Sequence, residues 1–316
     1  MNISIIIPLY NEEESLPELM RWIQNVMQPH PLSYEVIMVD DGSNDNSWQV
    51  IEKLKPEYPQ LKAIKFRRNY GKSPALHTGF QTASGDVVIT MDADLQDSPE
   101  EIPELYRMIV EEKFDLVSGW KQKRHDPISK RWPSKFFNFV TRVTTGIKLH
   151  DFNCGLKAYR QSVVKSIEVF GEMHRYIPVL ARRAGFKKIG EKVVQHQARK
   201  FGKTKFGFER YINGYLDLLT VLFITRFGKK PMHIFGVLGS LVFLFGFISA
   251  AYLGIHKLIA VHNGIQIERV TSSPYFYLSL TCIMLGSMLF MTGFLGELIS
   301  RSASDRNHYI IEKEII

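Results

Sequence analysis

Two carboxylates stand close together in the sequence, immediately after an apolar run. Asp92 and Asp94 are separated by a single residue, and Gln96 follows two positions later. Carboxylates at this spacing, just past a strand, converge on one cation, and Mg²⁺ or Mn²⁺ binds carboxylate and carbonyl oxygens together with phosphate oxygens. The pattern therefore predicts a Mg²⁺ or Mn²⁺ site formed by Asp92, Asp94 and Gln96 beside a bound phosphate group.

Polar residues also follow two earlier apolar runs. Tyr10-Asn11-Glu12 comes after the first run, and Asp40-Asp41-Gly42-Ser43 comes after the second. Carboxylates crowded at one edge of a protein repel one another and have raised pKa values unless a positive charge lies among them. The three acidic clusters therefore favour a shared cation over three unrelated structural roles.

A basic segment precedes the Asp92 cluster. Gly71-Lys72-Ser73 looks like the end of a P-loop, but Phe66 stands where that motif needs its first glycine. The segment is therefore not a P-loop. Arg67, Arg68 and Lys72 are still predicted to place positive charge near a bound diphosphate.

The elements that must position these residues alternate between strand and helix patterns. Residues 3–8, 35–39 and 86–91 are apolar runs typical of buried strands, and residues 15–27 and 47–54 have helical patterns. Such alternation predicts an α/β fold with a mostly parallel sheet. Because ligands of these folds bind beyond the carboxyl ends of the strands, the polar clusters are expected to share one edge.

Two late stretches contain no Lys, Arg, Asp or Glu, namely residues 232–255 and 274–296. Crossing a hydrocarbon core takes roughly 20 helical residues, so both are predicted to span a membrane. Small residues that permit close helix packing lie at Gly236, Gly239, Ser240, Gly246 and Gly293.

The basic residues that flank these stretches predict their orientation. Arg226, Lys229 and Lys230 precede the first span, and Arg301 and Arg306 follow the second. Positive flanks face the cytoplasm, so both termini are expected there and the connecting loop outside. The first residues have no basic region before their apolar run, so we expect no secretory signal.

Two further stretches, residues 134–147 and 208–227, combine an apolar helical face with neighbouring basic residues. This pattern predicts amphipathic helices at the membrane interface, although packing against the soluble core is the alternative. The net charge of +8 comes from 40 Lys and Arg against 32 Asp and Glu. These cations cluster near apolar helices, which favours anionic lipid over nucleic acid as a partner.

Composition excludes other classes of protein. With 45% hydrophobic and 23% charged residues, the 316-residue chain is not disordered, and it is long enough to bury a large core. Its only two cysteines, Cys154 and Cys282, exclude a disulfide framework.

Three motifs in this order resemble those of the family 2 glycosyltransferases of GT-A fold. They are Ile5 to Glu13 (IIIPLYNEE), Val39 to Ser43 (VDDGS) and Asp92 to Asp97 (DADLQD). Within that family the chain is similar to the polyprenyl-phosphate glycosyltransferases, which include dolichol-phosphate mannosyltransferase and the bactoprenol glucosyltransferases. The resemblance runs from residue 3 to about residue 225 and extends to the two apolar stretches.

The resemblance implies a role for individual residues. The nucleotide is expected to contact nine residues, one of which, Lys72, comes from the basic segment described above. They are Pro8, Tyr10, Glu12, Val39, Asp40, Asp41, Lys72, Asp92 and Lys205. The acceptor phosphate is expected at Lys121, Arg131 and Ser134, with Asn138 nearby on the same helix. Residues 199–205 resemble the Arg-x-x-Gly-x-Ser-Lys segment of the family, with Thr204 in place of Ser, and are expected to form a loop that can close over the site.

The catalytic residues implied in this way are Asp94, Asp151 and Arg199. Residues 151–157 resemble an Asp-x-x-Ser-Gly-Phe-Arg segment, and Gly155 stands near the place where bactoprenol glucosyltransferases can carry an Asp. A phosphate monoester is already ionised near neutral pH, with a second pKa of about 6. Asp151 is therefore expected to orient a group instead of removing a proton, while Lys121 and Arg131 hold the acceptor phosphate.

The predicted organisation has six parts. They are a GT-A catalytic domain (1–207), an interfacial amphipathic helix (208–230), a first transmembrane helix (231–256), an extracytoplasmic loop (257–273), a second transmembrane helix (274–297) and a cytoplasmic tail (298–316). The protein is expected in the cytoplasmic (inner) membrane, with its catalytic domain in the cytoplasm.

The predicted function is metal-dependent, inverting transfer of one sugar, such as glucose from UDP-glucose, to undecaprenyl phosphate. GDP-mannose is the alternative donor. A processive polysaccharide synthase is disfavoured, because residues 195–200 lack the QxxRW spacing and its Trp. A non-catalytic, membrane-anchored scaffold that binds nucleotide sugars is the remaining alternative. Relatives suggest a homotetramer.

Overall fold

A run of buried aliphatic side chains near the N-terminus forms a central strand of a seven-stranded sheet. The structure is a computed structural model that describes residues 1–122, 138–171, 173–197, 200, 231–266 and 268–302. The chain divides into two units, Met1–Leu222 and Phe223–Ile316, and the sheet belongs to the first.

The sheet is mostly parallel, as predicted. In chain order its strands are β1 (Ile3–Leu9), β2 (Tyr34–Asp40), β3 (Leu61–Lys65), β4 (Val87–Thr90), β5 (Leu116–Trp120), β6 (Lys157–Arg160) and β7 (Ile189–Val193). Their spatial order is β3-β2-β1-β4-β6-β5-β7. Only β6 runs against its neighbours, β4 and β5, while the other pairings are parallel.

Helices connect the strands of this unit. The described α-helices are α1 (Leu16–Met27), α2 (Ser47–Leu54), α3 (Lys72–Thr82), α4 (Ile102–Val110), α5 (138–145), α6 (Gln161–Lys165) and α7 (Ile177–Arg183). Short 3₁₀ helices lie at Pro99–Glu101 and Met173–Tyr176. The predicted helices at 15–27 and 47–54 are confirmed, as are the three predicted strands.

The core explains why these segments adopt this arrangement. Consecutive residues Ile5, Ile6 and Ile7 are all fully buried, because a central parallel strand is covered on both faces. Helix α1 buries Leu16, Leu19, Met20 and Ile23, which is the spacing of one helical face.

The register of the sheet brings the acidic clusters to one edge. Leu9 at the end of β1 pairs with Asp40 at the end of β2, and Ile6 pairs with Thr90 at the end of β4. Because all three strands are parallel, the segments that follow them leave the sheet on the same side. The expected common edge is confirmed.

The second unit contains two long apolar helices, α8 (Met232–His262) and α9 (Pro274–Ser302). Their mean hydropathies of 2.3 and 1.9 and their lengths are sufficient to cross a membrane, as predicted. Helix α8 continues seven residues beyond the expected end of the apolar run at residue 255, and a 3₁₀ helix at Val270–Ser272 lies in the shortened connection.

The two apolar helices pack through small residues. A Cβ atom on Gly239 would lie 2.7 Å from the carbonyl oxygen of Gly286 and 2.6 Å from the amide nitrogen of Phe290. The hydroxyl of Ser279 also donates to the hydroxyl of Ser249 at 2.8 Å. The predicted role of Gly239 in close packing is confirmed, and Gly286 is a contact that the sequence reasoning did not single out.

The predicted interfacial helices are only partly within the described residues. The segment 208–227 lies outside them. In the segment 134–147, α5 exposes Phe139 (59%) and Val143 (65%), whereas Ile147 is buried. Helix α5 ends at residue 145, so the buried Ile147 lies beyond it and does not belong to its exposed apolar face.

Candidate functional site

The segments that follow β1 and β2 are joined by hydrogen bonds. The backbone amide of Asn11 donates to the Ser43 hydroxyl at 2.9 Å, and the amide of Asn44 donates to Asn11 Oδ1 at 2.8 Å. Asn11 adopts a left-handed conformation with φ of 52°, which an Asn tolerates better than most residues. The side-chain amide of Asn44 donates to the Tyr10 hydroxyl at 3.2 Å. These contacts fix the position of Tyr10 at the rim, and the backbone amide of Glu12 is held there by donating to the Ser47 hydroxyl at 2.9 Å.

Two further residues predicted to contact the nucleotide lie at the ends of the same strands. Pro8 and Val39 are register partners in the β1–β2 pair. The side chain of Val39 is fully buried, whereas Pro8 is only partly buried. Of the two, only Pro8 therefore has a side chain that reaches the surface.

The carboxylates of Asp40 and Asp41 both accept backbone hydrogen bonds. Asp40 is fully buried and accepts from the amide of Ser43 at 2.8 Å. Asp41 accepts from the amide of Tyr70 at 2.7 Å and, through its other oxygen, from that of Gly71 at 2.8 Å. Burial raises the pKa of Asp41, and these two hydrogen bonds oppose the increase. Asp41 thus holds the segment that leads into α3.

Helix α3 begins at Lys72, so this anchored segment determines where Lys72 lies. Its ammonium group contacts Asp92 Oδ1. Burial alone would raise the pKa of Asp92, but the positive charges of Lys72 and Lys121 reverse the effect and hold it well below its usual range. Asp92 is therefore ionised at any physiological pH, and Lys72 lies beside the predicted metal and phosphate site.

A tight turn follows Asp92. Leu95 has a φ of 60°, and the backbone amide of Gln96 donates to Asp94 Oδ1 at 3.2 Å. The side-chain nitrogen of Gln96 donates to the carbonyl of Gln197 at 3.3 Å, and the amide of Gln197 donates to the Gln96 carbonyl at 3.0 Å. The turn brings Asp92, Asp94 and Gln96 to one rim, as expected.

The oxygen atoms at this rim suit a hard divalent cation by their chemistry. Lys72 occupies one oxygen of Asp92, and the backbone amide of Gln96 occupies one oxygen of Asp94. Within the described residues, no three His, Cys, Asp or Glu side chains are grouped to hold a metal ion by themselves. Since Mg²⁺ sites commonly take one or two carboxylates and complete their coordination with substrate phosphates, the donor set fits a shared site. The metal itself stays a prediction.

Lys121, predicted to bind the acceptor phosphate, forms an ion pair with Asp97. Their side-chain atoms are 2.7 Å apart, and the side chains are 13% and 0% exposed. Burial alone would lower the pKa of Lys121, but the Asp97 carboxylate raises it above its usual value. The backbone amide of Asp92 also donates to Asp97 at 3.3 Å. Asp97 belongs to the sequence motif, yet the sequence reasoning assigned it no role.

Asp151 is buried in the turn before β6. Its carboxylate accepts from the amide of Asn153 at 3.0 Å, and its own amide donates to Glu191 at 3.1 Å. Asn138 of α5 accepts from the amide of Phe152 at 3.3 Å and so fastens the helix to this turn. These contacts place Asp151 and Asn138 in adjoining segments, and the roles predicted for the two residues stay predictions.

Gly155 lies directly against Asp92. A Cβ atom on Gly155 would be 2.5 Å from Asp92 Oδ2 and 2.7 Å from its Cγ. The site therefore has no room at this position for the Asp that some bactoprenol glucosyltransferases are expected to carry.

A cavity of about 90 Å³ adjoins Asp92 and Gly155, and its lining includes three basic residues to which the sequence analysis gave no role. They are Lys157, His174 and Arg175. Lys157 is the last residue of the segment 151–157 that resembles a family motif, and its place in that motif could have indicated that it belongs to the site. His174 and Arg175 belong to no motif in the sequence. Burial, together with the charges of Lys72, Arg175 and Lys157, holds the pKa of His174 well below its usual value.

Four predicted site residues lie outside the described part of the chain. They are Arg131, Ser134, Arg199 and Lys205. Their proposed contacts with acceptor and nucleotide stay predictions.

Residues 4–168 match the family model described as glycosyl transferase family 2. The chain is 34% identical over 305 residues to dodecaprenyl-phosphate galacturonate synthase of Rhizobium johnstonii, which covers 96% of this chain and 88% of that protein. It is 36% identical over 318 residues to undecaprenyl-phosphate 4-deoxy-4-formamido-L-arabinose transferase of Pectobacterium atrosepticum, with coverages of 99% and 94%.

Solved structures share the fold of the first unit. Mannosyl-3-phosphoglycerate synthase from Rubrobacter xylanophilus superposes with a TM-score of 0.55 at 14% identity, over 71% of this chain and 74% of that chain. Glucosyl-3-phosphoglycerate synthase from Mycobacterium tuberculosis, in complex with Mn²⁺ and UDP-glucose, gives 0.52 at 18% identity, over 71% and 78%. These similarities establish the predicted GT-A fold.

Proposed function

Because the chain belongs to glycosyl transferase family 2, we propose that it transfers a single sugar from a nucleotide sugar to a polyprenyl phosphate. One observation carries the proposal: the similarity to polyprenyl-phosphate sugar transferases extends over nearly the whole chain, including both apolar helices. A similarity confined to the catalytic unit would have supported only a glycosyltransferase of unspecified acceptor.

The donor is proposed to be a UDP-linked sugar, with UDP-glucose as the first candidate and GDP-mannose as the alternative. The names of the relatives add galacturonate and 4-deoxy-4-formamido-L-arabinose to the sugars that must be tested. Tyr10, Glu12, Asp40 and Asp41 lie on the two joined segments at the rim and are proposed to form the nucleotide site.

The leaving nucleoside diphosphate gains negative charge as the glycosidic bond breaks. Lys72 supplies positive charge next to Asp92, and Arg199 and Lys205 are proposed to add more from the segment that follows β7. A divalent ion held by Asp92, Asp94 and Gln96 would act as a Lewis acid on the same diphosphate. Charge stabilisation of this kind is usually the largest contribution to catalysis by such a site.

The acceptor phosphate needs little help from a general base, because it is already ionised. Its approach to a diphosphate instead requires neutralising charge, which we assign to Arg131 with Ser134. Lys121 is proposed to lie beside the acceptor phosphate, but it neutralises less of the phosphate charge because it already forms an ion pair with Asp97. Asp151, fixed in its turn by hydrogen bonds to Asn153 and Glu191, is proposed to orient the reacting groups.

The chain is proposed to be a multi-pass protein of the cytoplasmic membrane. Helices α8 and α9 would cross the bilayer with both termini in the cytoplasm, according to the positive flanks. The exposed Phe139 and Val143 of α5 are proposed to contact lipid. This arrangement brings a membrane-bound acceptor to a cytoplasmic donor site, and the family implies inversion at the anomeric carbon.

Purified full-length protein in detergent, supplied with undecaprenyl phosphate and Mg²⁺ or Mn²⁺, tests the proposal. Each labelled nucleotide sugar named above is offered in turn, and a chloroform-soluble product is expected with one of them. Asp94→Asn is expected to abolish the product while the protein remains folded, and Glu111→Gln on the exposed end of α4 is the matched control. Nucleotide-sugar binding without any product would instead support the non-catalytic scaffold.

A further inference from the structure

We propose that the cavity beside Asp92 binds an oxyanion of a substrate, with Lys157 as its principal cation. The proposal rests on the proposed function and names a binding subsite within it. The oxyanion is the carboxylate of a donor sugar or the phosphate of the acceptor, which share the same recognition chemistry.

Lys157 is a buried ammonium group that lines this cavity. Its residue is 4% exposed, and its described hydrogen bond is to the carbonyl oxygen of Cys154. No carboxylate among the described residues lies within ion-pair distance of it. Buried cations in proteins are normally paired with an anion, because the loss of hydration is otherwise uncompensated. A substrate anion supplies the missing partner.

The charges that line the cavity favour an anion. Three cationic side chains, Lys72, Lys157 and Arg175, face it, against the single carboxylate of Asp92. The remaining titratable groups add no charge near neutral pH, because burial raises the pKa of Cys154 to about 12 and that of Tyr159 above its usual value, while His174 is neutral. With Lys157 protonated, the lining has an excess of two positive charges. Burial and the charge of Lys72 lower the pKa of Lys157, so an anion bound beside it would stabilise its charged form.

The shape and surroundings of the cavity suit a small oxyanion. About 90 Å³ accommodates a carboxylate or a phosphate group, but not a whole sugar nucleotide. Apolar side chains of Leu76, Phe152 and Ile177 form part of the wall, and a low dielectric there strengthens the attraction between Lys157 and an anion. Because the cavity adjoins Asp92, a group bound in it lies next to the proposed site of transfer.

Binding to the full-length protein in detergent tests the proposal without requiring turnover. Two matched pairs of ligands differ only in the oxyanion: UDP-galacturonate against UDP-galactose, and farnesyl phosphate against farnesol. Dissociation constants are measured by calorimetry for the wild type, for Lys157→Met, and for Lys157→Arg, which keeps the charge. Lys53→Met on the exposed face of α2 is the matched control.

The wild type is expected to prefer the charged member of at least one pair about 10-fold or more, the value of one charge-assisted hydrogen bond. Lys157→Met is expected to remove that preference, and Lys157→Arg and Lys53→Met to retain it. If Lys157→Met loses the preference only within the UDP-sugar pair, the subsite binds the donor carboxylate. If it loses the preference only within the farnesyl pair, the subsite binds the acceptor phosphate.

Preferences that survive in folded Lys157→Met would overturn the proposal. If that variant does not fold, Arg175→Gln is measured in the same way. If neither variant folds, the wild-type affinities test the proposal. Equal affinities within both ligand pairs contradict an oxyanion subsite, whereas tighter binding of a charged ligand supports one. Glycolipid formation is not part of the readout, so a failure here is distinguishable from a failure of the proposed function.

Discussion

The ammonium group of Lys121 lies 2.7 Å from the buried carboxylate of Asp97. Asp97 also accepts from the backbone amide of Asp92, so this ion pair supports the turn that carries both proposed metal-binding carboxylates. Of the three acidic residues in the motif, Asp97 therefore serves as an internal counter-ion, whereas Asp92 lines the cavity and Asp94 accepts a hydrogen bond within the turn.

Lys121→Met is expected to destabilise the protein, because Asp97 would be left as a buried charge without a partner. Breaking a buried ion pair costs about 3–5 kcal/mol, which thermal unfolding in detergent detects readily. Lys121→Arg is expected to retain most of the stability. An unchanged melting temperature with a raised KM for the acceptor would show instead that Lys121 mainly binds phosphate.

Asp41→Ala is expected to release the backbone amides of Tyr70 and Gly71, and with them the start of α3. Both hydrogen bonds are partly buried, and a hydrogen bond to a charged group contributes about 1.5–3 kcal/mol, so stability should fall modestly. Because Lys72 would no longer be held against Asp92, the rate of transfer should fall by more than the stability change explains. Steady-state kinetics on the folded variant provides the measurement, and a normal kcat/KM would contradict this positioning role.

Gly155→Ala is expected to displace Asp92, since the added methyl group would lie 2.5 Å from Asp92 Oδ2. A shift of about 1 Å near the reacting groups can cost about 100-fold in rate. Transfer activity should therefore fall by roughly this factor. Gly254→Ala in α8 is the matched control, because nothing lies within 4 Å of its added carbon. Full activity of Gly155→Ala would show that the rate of transfer does not depend on the exact position of Asp92.

The ionisation of Glu35 is expected to make the stability of the protein depend on pH. It accepts hydrogen bonds from Ser4 at 2.6 Å and from Ser84 at 2.8 Å, and pairs with Lys62 at 2.6 Å. Burial opposes ionisation, but these partners outweigh it and lower the pKa of Glu35 from 4.5 to about 2. The stabilisation, about 3 kcal/mol, is therefore complete above about pH 4.5 and is lost as the pH falls towards 2.

Guanidinium unfolding of the wild type and of Glu35→Gln, each at pH 7, 4.5 and 3, measures this contribution. The variant is expected to be less stable at pH 7, and the gap between the two proteins should narrow at pH 3. Glu57→Gln at an exposed position is the control. A gap that does not change with pH would mean that the stabilisation does not depend on the ionisation of Glu35.

The sequence predicts the rim of the site well, because the acids of this rim directly follow strands with strong apolar patterns. Asp92 and Asp94 needed only the parallel order of β1, β2 and β4 to be brought to the same edge as Asp40. That order follows from alternating strands and helices.

The cationic side of the site was not predictable in the same way. Lys157 lines the same cavity as Asp92 only because β6 inserts antiparallel between β4 and β5, and no local periodicity encodes that pairing. Likewise, the acid at Asp97 is evident in the sequence, but its partner Lys121 comes from the end of another strand. Partners brought together by distant strands depend on tertiary structure, which spacing along the chain does not reveal.

The mass of the lipid recovered after reaction tests the central claim most directly. Undecaprenyl phosphate incubated with the wild type, the accepted nucleotide sugar and Mg²⁺ or Mn²⁺ is extracted and measured by mass spectrometry. We expect the lipid to gain one sugar residue, with one nucleoside diphosphate released for each molecule of product and no longer chains. An unmodified lipid with every donor, or nucleoside diphosphate released to water alone, would contradict the account.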